Sequence, residues 1–441
     1  MQRATFALAA LALGASAIPS AHAEDAALKA EVAELRAQLA ELRGEIVELR
    51  QMHGSATPAA GPIAAAERTP ADAGSMAVVE RRPNVAEAES TDATTIGGYG
   101  EISYNHPTRD ASASQADLRR AVLAFTHRFD DSTRVVGEFE WEHAVVSADD
   151  SGEAEVEQLY VEHELHPGLG VRAGLILMPL GTLNERHEPP TFYGVERNFV
   201  ETAIIPSTWR EGGVALYGNT QSGWNWNVGI TTGFDLAKWD AASSEGRESP
   251  LRSIHQELQL AKARDPSFYA ATNWQGIPGL TLGGGVFTGA ASQGTADFLA
   301  DSARVTLADI HARWQSGPID LSALYARGRI SDTGDLNLSF VGNPTPVPEA
   351  FWGGYVQGAW RIWQRDEASV APFLRYESFN TAASYAPMPQ GLEVPAAQTE
   401  HVWTAGANYW LNQSVVFKAD YQRFDIDRAQ DRVDLGMGYM F

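Results

Sequence analysis

From Thr95 to Phe441 apolar residues recur at every second position, and that period constrains the chain more than any other feature. A repeat of two places successive side chains on opposite faces of a strand. Glu138-Phe139-Glu140-Trp141-Glu142, Trp224-Asn225-Trp226-Asn227-Val228 and Val415-Val416-Phe417-Lys418-Ala419-Asp420-Tyr421 each separate an apolar face from a polar one. Such runs predict sixteen strands, at 95–105, 117–129, 133–146, 154–166, 169–178, 212–219, 224–233, 267–275, 280–289, 303–315, 319–330, 351–363, 369–380, 399–411, 414–425 and 431–441. Short connections with turn chemistry, among them Asp130-Asp131-Ser132, His166-Pro167-Gly168 and Ile277-Pro278-Gly279, alternate with long ones at 179–211, 234–266 and 331–350. Beyond residue 23 no stretch holds the roughly 18 unbroken apolar residues that a membrane helix needs. The pattern predicts an all-β fold over 95–441, a 16-stranded antiparallel transmembrane β-barrel. Short turns fall on one side and long loops on the other. The even count places both barrel ends on the short-turn side.

A soluble β-sandwich would also alternate, because it buries one face of each strand. Three features oppose it. Aromatic residues stand beside the expected short turns, at Phe129, Trp274, Trp314, Trp363 and Trp410, where a membrane interface favours them. Gly283-Gly284-Gly285 would weaken a packed core strand. The chain also closes on Gly436-Met437-Gly438-Tyr439-Met440-Phe441, a strand whose alternate apolar residues reach a terminal Phe. A barrel with one face in lipid and one in water accounts for 10% aromatic residues beside only 20% charged ones.

The N-terminal quarter has three further parts. Residues 1–23 carry Arg3, a short apolar core from Phe6 to Ala17 and a small-x-small site at Ala21-His22-Ala23, the pattern of a cleaved signal peptide. Residues 24–53 place Leu28, Val32, Leu35, Leu39, Leu42, Ile46 and Leu49 at alternating spacings of four and three. That is the seam of a parallel periplasmic coiled coil, with Glu31 facing Arg36 and Glu45 facing Arg50 of a neighbouring chain. Residues 54–94 are rich in Ala, Pro, Gly, Ser, Thr and Glu without periodicity and read as a flexible linker.

Alternation also assigns the charges. On the third strand Glu138, Glu140 and Glu142 share one face, and on the fourth Glu162 and Glu164 do. Arg120, Arg128, Asp309, Arg313, Arg375, Lys418 and Asp420 fall on the same side of their strands. An Arg or Lys on the lipid face near the midplane would cost roughly 2–4 kcal/mol, so these residues are expected to line the pore.

Other chemistries find little support. A formal charge of −23 opposes nucleic acid, which needs a basic face. The absence of cysteine removes disulfides and thiolate sites. His187-Glu188-Pro189-Pro190 lacks the second His of a zinc helix, and Glu162-His163-Glu164 sits on a strand where His163 faces away from its neighbours. Gly97-Gly98-Tyr99-Gly100 opens a strand, so it cradles no phosphate, and no Gly-x-Ser-x-Gly elbow occurs. The expectation is a non-enzyme without metal or cofactor.

The terminal strand ending in Phe441 resembles the assembly signal of bacterial outer-membrane barrels. Residues 174–218 carry Gly174-Leu175-Ile176-Leu177-Met178-Pro179-Leu180-Gly181, His187-Glu188-Pro189-Pro190, Val195-Glu196-Arg197 and Trp209-Arg210-Glu211-Gly212-Gly213. In these the chain resembles the phosphate-selective porin O and P family. The resemblance implies a trimeric outer-membrane porin whose third long loop folds inward and sets a constriction. Here that loop would supply Glu185, Arg186, His187, Glu188, Glu196, Arg197, Glu201 and Arg210. Phosphate selection is not carried over, because four Lys and a glutamate ladder do not make a basic lining. The function expected is passive diffusion of small hydrophilic solutes through the outer membrane of a Gram-negative bacterium. Its partners would be membrane lipid and further copies of the chain. A second reading makes the barrel an anchor whose coil 24–53 tethers the membrane to the cell wall.

Overall fold

The computed structural model describes residues 93–147 and 150–441. The expected signal peptide, the coiled coil and all but the last two residues of the linker lie outside the described residues. The strands are β1 (Thr94–Pro107), β2 (Gln115–Arg128), β3 (Thr133–Glu142), β4 (Glu153–His166), β5 (Leu169–Leu177), β6 (Arg210–Asn219), β7 (Trp224–Thr231) and β8 (Ser267–Ile277). They continue as β9 (Leu280–Ala290), β10 (Arg304–Ser316), β11 (Ile319–Ile330), β12 (Ala350–Trp360, resumed at Trp363–Arg365), β13 (Ala368–Ser384), β14 (Glu400–Trp410), β15 (Val415–Phe424) and β16 (Arg432–Met440). Among the described residues there are sixteen staves, because Trp363–Arg365 prolongs β12 along β13.

Each stave pairs antiparallel with its sequence neighbours, and β1 pairs with β16 from Tyr99↔Met440 to Pro107↔Arg432. The sheet therefore closes with no edge. Gly98 and Phe441 exchange main-chain hydrogen bonds of 3.1 and 2.9 Å, which pins the C-terminal residue into the closure. Turns such as 129–132, 167–168, 278–279 and 317–318 alternate with long connections, of which 178–209 is the third. Strand 3 ends at Glu142 rather than at 146, and β6 starts at Arg210 rather than at 212.

The faces are inverted relative to a soluble protein. Ile310 is 68% exposed on the outside of β10, while its neighbours Asp309 and His311 are buried inside. Val356, Leu374 and Phe417 are likewise exposed, and Glu377, Lys418 and Asp420 are buried. This suits a barrel with hydrocarbon around it and polar groups within. Phe129, Trp314 and Trp363 are exposed beside the short turns, and Trp224 packs with Trp274 at a ring-centroid distance of 6.4 Å.

Alternation does not divide lipid from water everywhere. Phe287, Leu307, Leu324 and Phe351 point inward from β9–β12 into a dry core. They meet Met178, Leu180, Val200, Ile204 and Trp209 of the third long connection, and Phe234, Leu236, Leu251 and Ile254 of the fourth, 232–266. Trp209 lies edge-on to Phe287 at 4.7 Å and stacks on Phe234 at 5.2 Å. The inward apolar residues thus have protein against them, and part of the lumen is filled by loops.

Replacing Ile310 by Arg should destabilise the barrel in lipid by roughly 2–4 kcal/mol, the cost of a cation near the bilayer midplane. Urea unfolding in phospholipid vesicles would measure it.

Candidate functional site

Two β-bulges shape the inner wall of β1–β4. Glu101 faces Arg120 but Ile102 faces Leu118, so Arg119 is an extra residue. Glu138 faces Gln158 but Phe139 faces Val156, so Glu157 is extra. A bulge turns consecutive side chains to the same side of the sheet. Arg120 reaches Glu101 at 2.9 Å and Glu140 at 3.1 Å, while Arg119 pairs with Glu196 of the inward segment. Glu157 and Gln158 are both buried, and Gln158 donates to Glu138.

The third long connection, 178–209, lies inside the barrel and is fastened to the wall by its main chain. Val195 N donates to Asp420 at 2.6 Å, Phe199 N to Glu377 at 2.6 Å and Gly194 N to Asn408 at 3.2 Å. Asn408 donates in return to the carbonyl of Phe192 at 2.9 Å, and Lys418 Nζ lies 3.4 Å above the Phe192 ring. Trp410 donates from Nε1 to the carbonyl of Pro190 at 3.0 Å and stands edge-on to Tyr193. It faces the lumen, so it is not part of an outer aromatic girdle: parity on β14 puts Trp403 and Tyr409 outside instead. The wall is also cut away for the segment. A Cβ at Gly438 would lie 2.1 Å from Pro189 Cβ, and one at Gly436 would lie 3.0 Å from Val195.

Glu201 holds the segment's own shape. Its carboxylate accepts from Leu183 N at 2.8 Å, from Asn198 Nδ2 at 2.7 Å and from Thr182 N, with Tyr355 Oη at 3.3 Å. Losing it would orphan buried N–H groups at about 1–3 kcal/mol each.

Around the segment lie three polar cavities. One of about 970 Å³ is lined by Glu101, Arg119, Arg120, Glu142, Arg197 and Arg210 among others. A second of about 460 Å³ opens at the short-turn side, with Arg128, Arg134, Glu162, Glu164 and Arg172 in its wall. A third of about 180 Å³ is bordered by Asn273, His311, Arg313, Tyr355, Gln357 and Arg375. Glu185 and Arg186 line both smaller cavities. The largest shares no lining residue with the other two. A buried layer formed by Tyr99, Glu138, Glu140, Glu157 and His187 stands between Arg120 on one side and Gln158 on the other.

The segment residues expected at a narrowing thus separate into groups. Glu185 and Arg186 are exposed to lumen water, and Arg197 borders the large cavity. Glu188 is half-buried. His187 and Glu201 are buried and turned to protein, so they do not face the lumen water. Arg210 belongs to β6 rather than to the loop, because its backbone pairs with Leu177; its guanidinium contacts Glu155 at 2.5 Å and Glu257 at 3.1 Å. Of the wall residues, Arg120, Glu138, Glu140, Glu162, Asp309, Arg375, Lys418 and Asp420 are buried on the inside. Glu142, Arg128, Glu164 and Arg313 border the cavities, and Arg313 pairs with Asp320 at 2.6 Å.

Charges on the segment answer to these neighbours. Burial would raise the Glu196 carboxyl, but Arg119, helped by Arg432, outweighs it and holds the pKa down at about 2. Burial lowers His187, yet the carboxylate of Glu157 at 2.9 Å more than reverses this and brings it up to about 9. Arg197 is pushed down by burial and then by Arg120.

Sequence reasoning misses Arg119 and Glu157, since strict alternation sends both to lipid. The usable signal is a charge out of phase with its strand: Arg119-Arg120, and Glu155 and Glu157 preceding Gln158, Tyr160 and Glu162. Glu101, Arg172 and Asp320 were in phase and also belong to the lining.

Two outcomes follow for the segment's attachment. Glu196 has its folded pKa below the ordinary 4.5, so its stabilisation is complete above that value and is lost as pH falls toward about 2. The loss is on the order of 3 kcal/mol. In urea melts across that window, Glu196→Gln should show a flatter pH profile than the parent. Gly438→Val should displace Pro189 and raise cleavage of the segment by added protease, with the barrel's β-signal in circular dichroism retained.

No protein-family model matches the chain. Among solved structures the barrel is similar to OmpF of Salmonella typhi in complex with daunomycin, at 14% identity and a TM-score of 0.54 over 79% of this chain and 97% of that one. It is also similar to the outer membrane channel DcaP of Acinetobacter baumannii, at 14% identity and a TM-score of 0.50 over 81% of this chain and all of that one. At such identities the likeness concerns the fold. A protein of Aquifex aeolicus (strain VF5), described as an uncharacterized protein, is 31% identical over 347 residues, covering 76% of this chain and 77% of its own length. Its identity and coverage place the chain in one family with that Aquifex aeolicus protein.

Proposed function

We propose that the chain is an outer-membrane porin that passes small hydrophilic solutes and ions by passive diffusion. One observation carries this reading. A closed barrel with an apolar exterior encloses cavities of about 970 and 460 Å³ whose walls bear charges of both signs, with an inward segment lying among them. Water-filled barrels of this kind select by pore width and by lining charge. In this reading residues 178–209 form the constriction. Glu185 and Arg186 meet the solute, whereas His187, Glu196 and Glu201 hold the segment in place. Carboxylates and guanidiniums side by side suit a polar or zwitterionic solute better than phosphate, and the resemblance to the phosphate-selective porins is read as one of architecture.

The finer parts of the proposal are a cleaved signal peptide at 1–23, a periplasmic coiled coil at 24–53 and a homotrimer built through barrel and coil. The location is the outer membrane of a Gram-negative bacterium.

Planar-bilayer recordings of the purified protein test the reading, and a lack of stepwise conductance in several salts would overturn it. In a salt gradient Glu185→Gln should move the reversal potential toward anion preference and Arg186→Gln toward cation preference. Deleting 24–53 should leave single-channel conductance intact while weakening the oligomer. A fragile envelope in that deletion strain would favour the tether instead.

A further inference from the structure

Three side chains far apart in sequence converge in the buried layer between the cavities: Glu138 on β3, Glu157 at the bulge of β4 and His187 on the inward segment. One donor atom from each lies within 4.8 Å of the other two, and all three residues are buried. His187 Nδ1 stands 2.9 Å from the carbonyl oxygen of Asn184, which commits that nitrogen to donating and directs Nε2 at the carboxylates. Nε2 lies 2.9 Å from Glu157 Oε1 and 2.8 Å from the Tyr99 hydroxyl. Apart from this ion-pair contact Glu157 Oε1 has no hydrogen-bond partner. The oxygen is wholly enclosed and points into the cluster.

The other donors to these carboxylates are neutral. Glu138 accepts from the Gln158 amide, and Glu157 Oε2 accepts from the Tyr99 hydroxyl at 3.3 Å. Two carboxylates this close, out of water, repel one another and favour either a proton or a cation between them. The imidazole decides which cation. One ring nitrogen with two carboxylate oxygens suits zinc and its transition-metal neighbours, whereas calcium and magnesium prefer oxygen alone.

We propose that Glu138, Glu157 and His187 bind a divalent transition-metal cation, represented by Zn²⁺, which fastens the inward segment to β3 and β4. The Asn184 carbonyl orients the imidazole, and Tyr99 supplies a further oxygen beside the ion. The site joins wall to loop, and it stands whether or not the barrel conducts. It is absent from every local motif, since its ligands come from three separate elements.

The test uses the full-length protein, folded in detergent and stripped with a chelator. ZnCl₂ is titrated in competition with a chromophoric chelator, with MgCl₂ in parallel, and thermal unfolding is followed in both. The expected result is one zinc ion per chain and a higher unfolding temperature with zinc but not with magnesium. His187→Ala and Glu157→Gln should each weaken zinc at least tenfold, taking about 10–100-fold as the usual effect of losing even an outer partner. His166→Ala removes an exposed histidine at the end of β4 and should leave the titration unchanged. Should His187→Ala fail to fold, the near-isosteric Glu138→Gln carries the same prediction. The proposal is overturned if the stripped protein takes up no zinc, if His166→Ala abolishes the uptake, or if folded Glu138→Gln and Glu157→Gln bind zinc as the parent does.

Discussion

Every main-chain N–H and C=O on a membrane-crossing strand must find a partner within the sheet, because hydrocarbon offers none. Pairing of β1 with β16 meets that requirement, since it removes the only two edges an open sheet would have. Much else depends on it. The closed wall fixes which residues point outward, gives the inward segment a surface to bind, and brings residues from both ends of the chain together. Asn105 of β1 donates to both Glu196 of the segment and Asp434 of β16, at 3.0 and 2.8 Å. Such a contact exists only in a closed ring.

Within that frame the lumen is filled by two unlike materials. Near β9–β12 the loops and the wall share a dry aromatic core, which holds the inward segment by packing. Near β1–β5 and β13–β16 the attachment is polar, with backbone amides of the segment placed on Asp420, Glu377 and Asn408. The dry side gives rigidity, and the polar side leaves the two larger cavities open. Charges buried on the polar side are kept by reciprocal pairing, as in Arg120 with Glu101 and Glu140. Breaking one member of such a set leaves the rest uncompensated.

Strand positions, the order of short and long connections and the inward direction of residues such as Glu140, Arg375, Lys418 and Asp420 are all legible from alternation. The reason is that the two faces of each strand meet solvents of opposite polarity. Alternation fails at Arg119 and Glu157, where a bulge restarts the phase. At Trp410 the phase is right, but an aromatic beside a short turn reads as interfacial when it serves the inward segment. It also fails at Phe287 and Leu307, because a period of two cannot say whether water or another loop covers an inward face. Gly436 and Gly438 read as ordinary positions in a terminal strand. Only Val195 and Pro189 lying against them explain why no side chain is there.

The chain's sequence by itself determined a closed, sixteen-stranded, outward-apolar barrel, since that architecture follows from local period and turn spacing. Which charges stand in lumen water and which are buried was decided by tertiary structure alone. Glu185 and His187 are two residues apart on one loop, yet the first borders the cavities and the second is enclosed against Glu157. Their difference arises from the wall the loop meets, and that wall is assembled from strands far away along the chain.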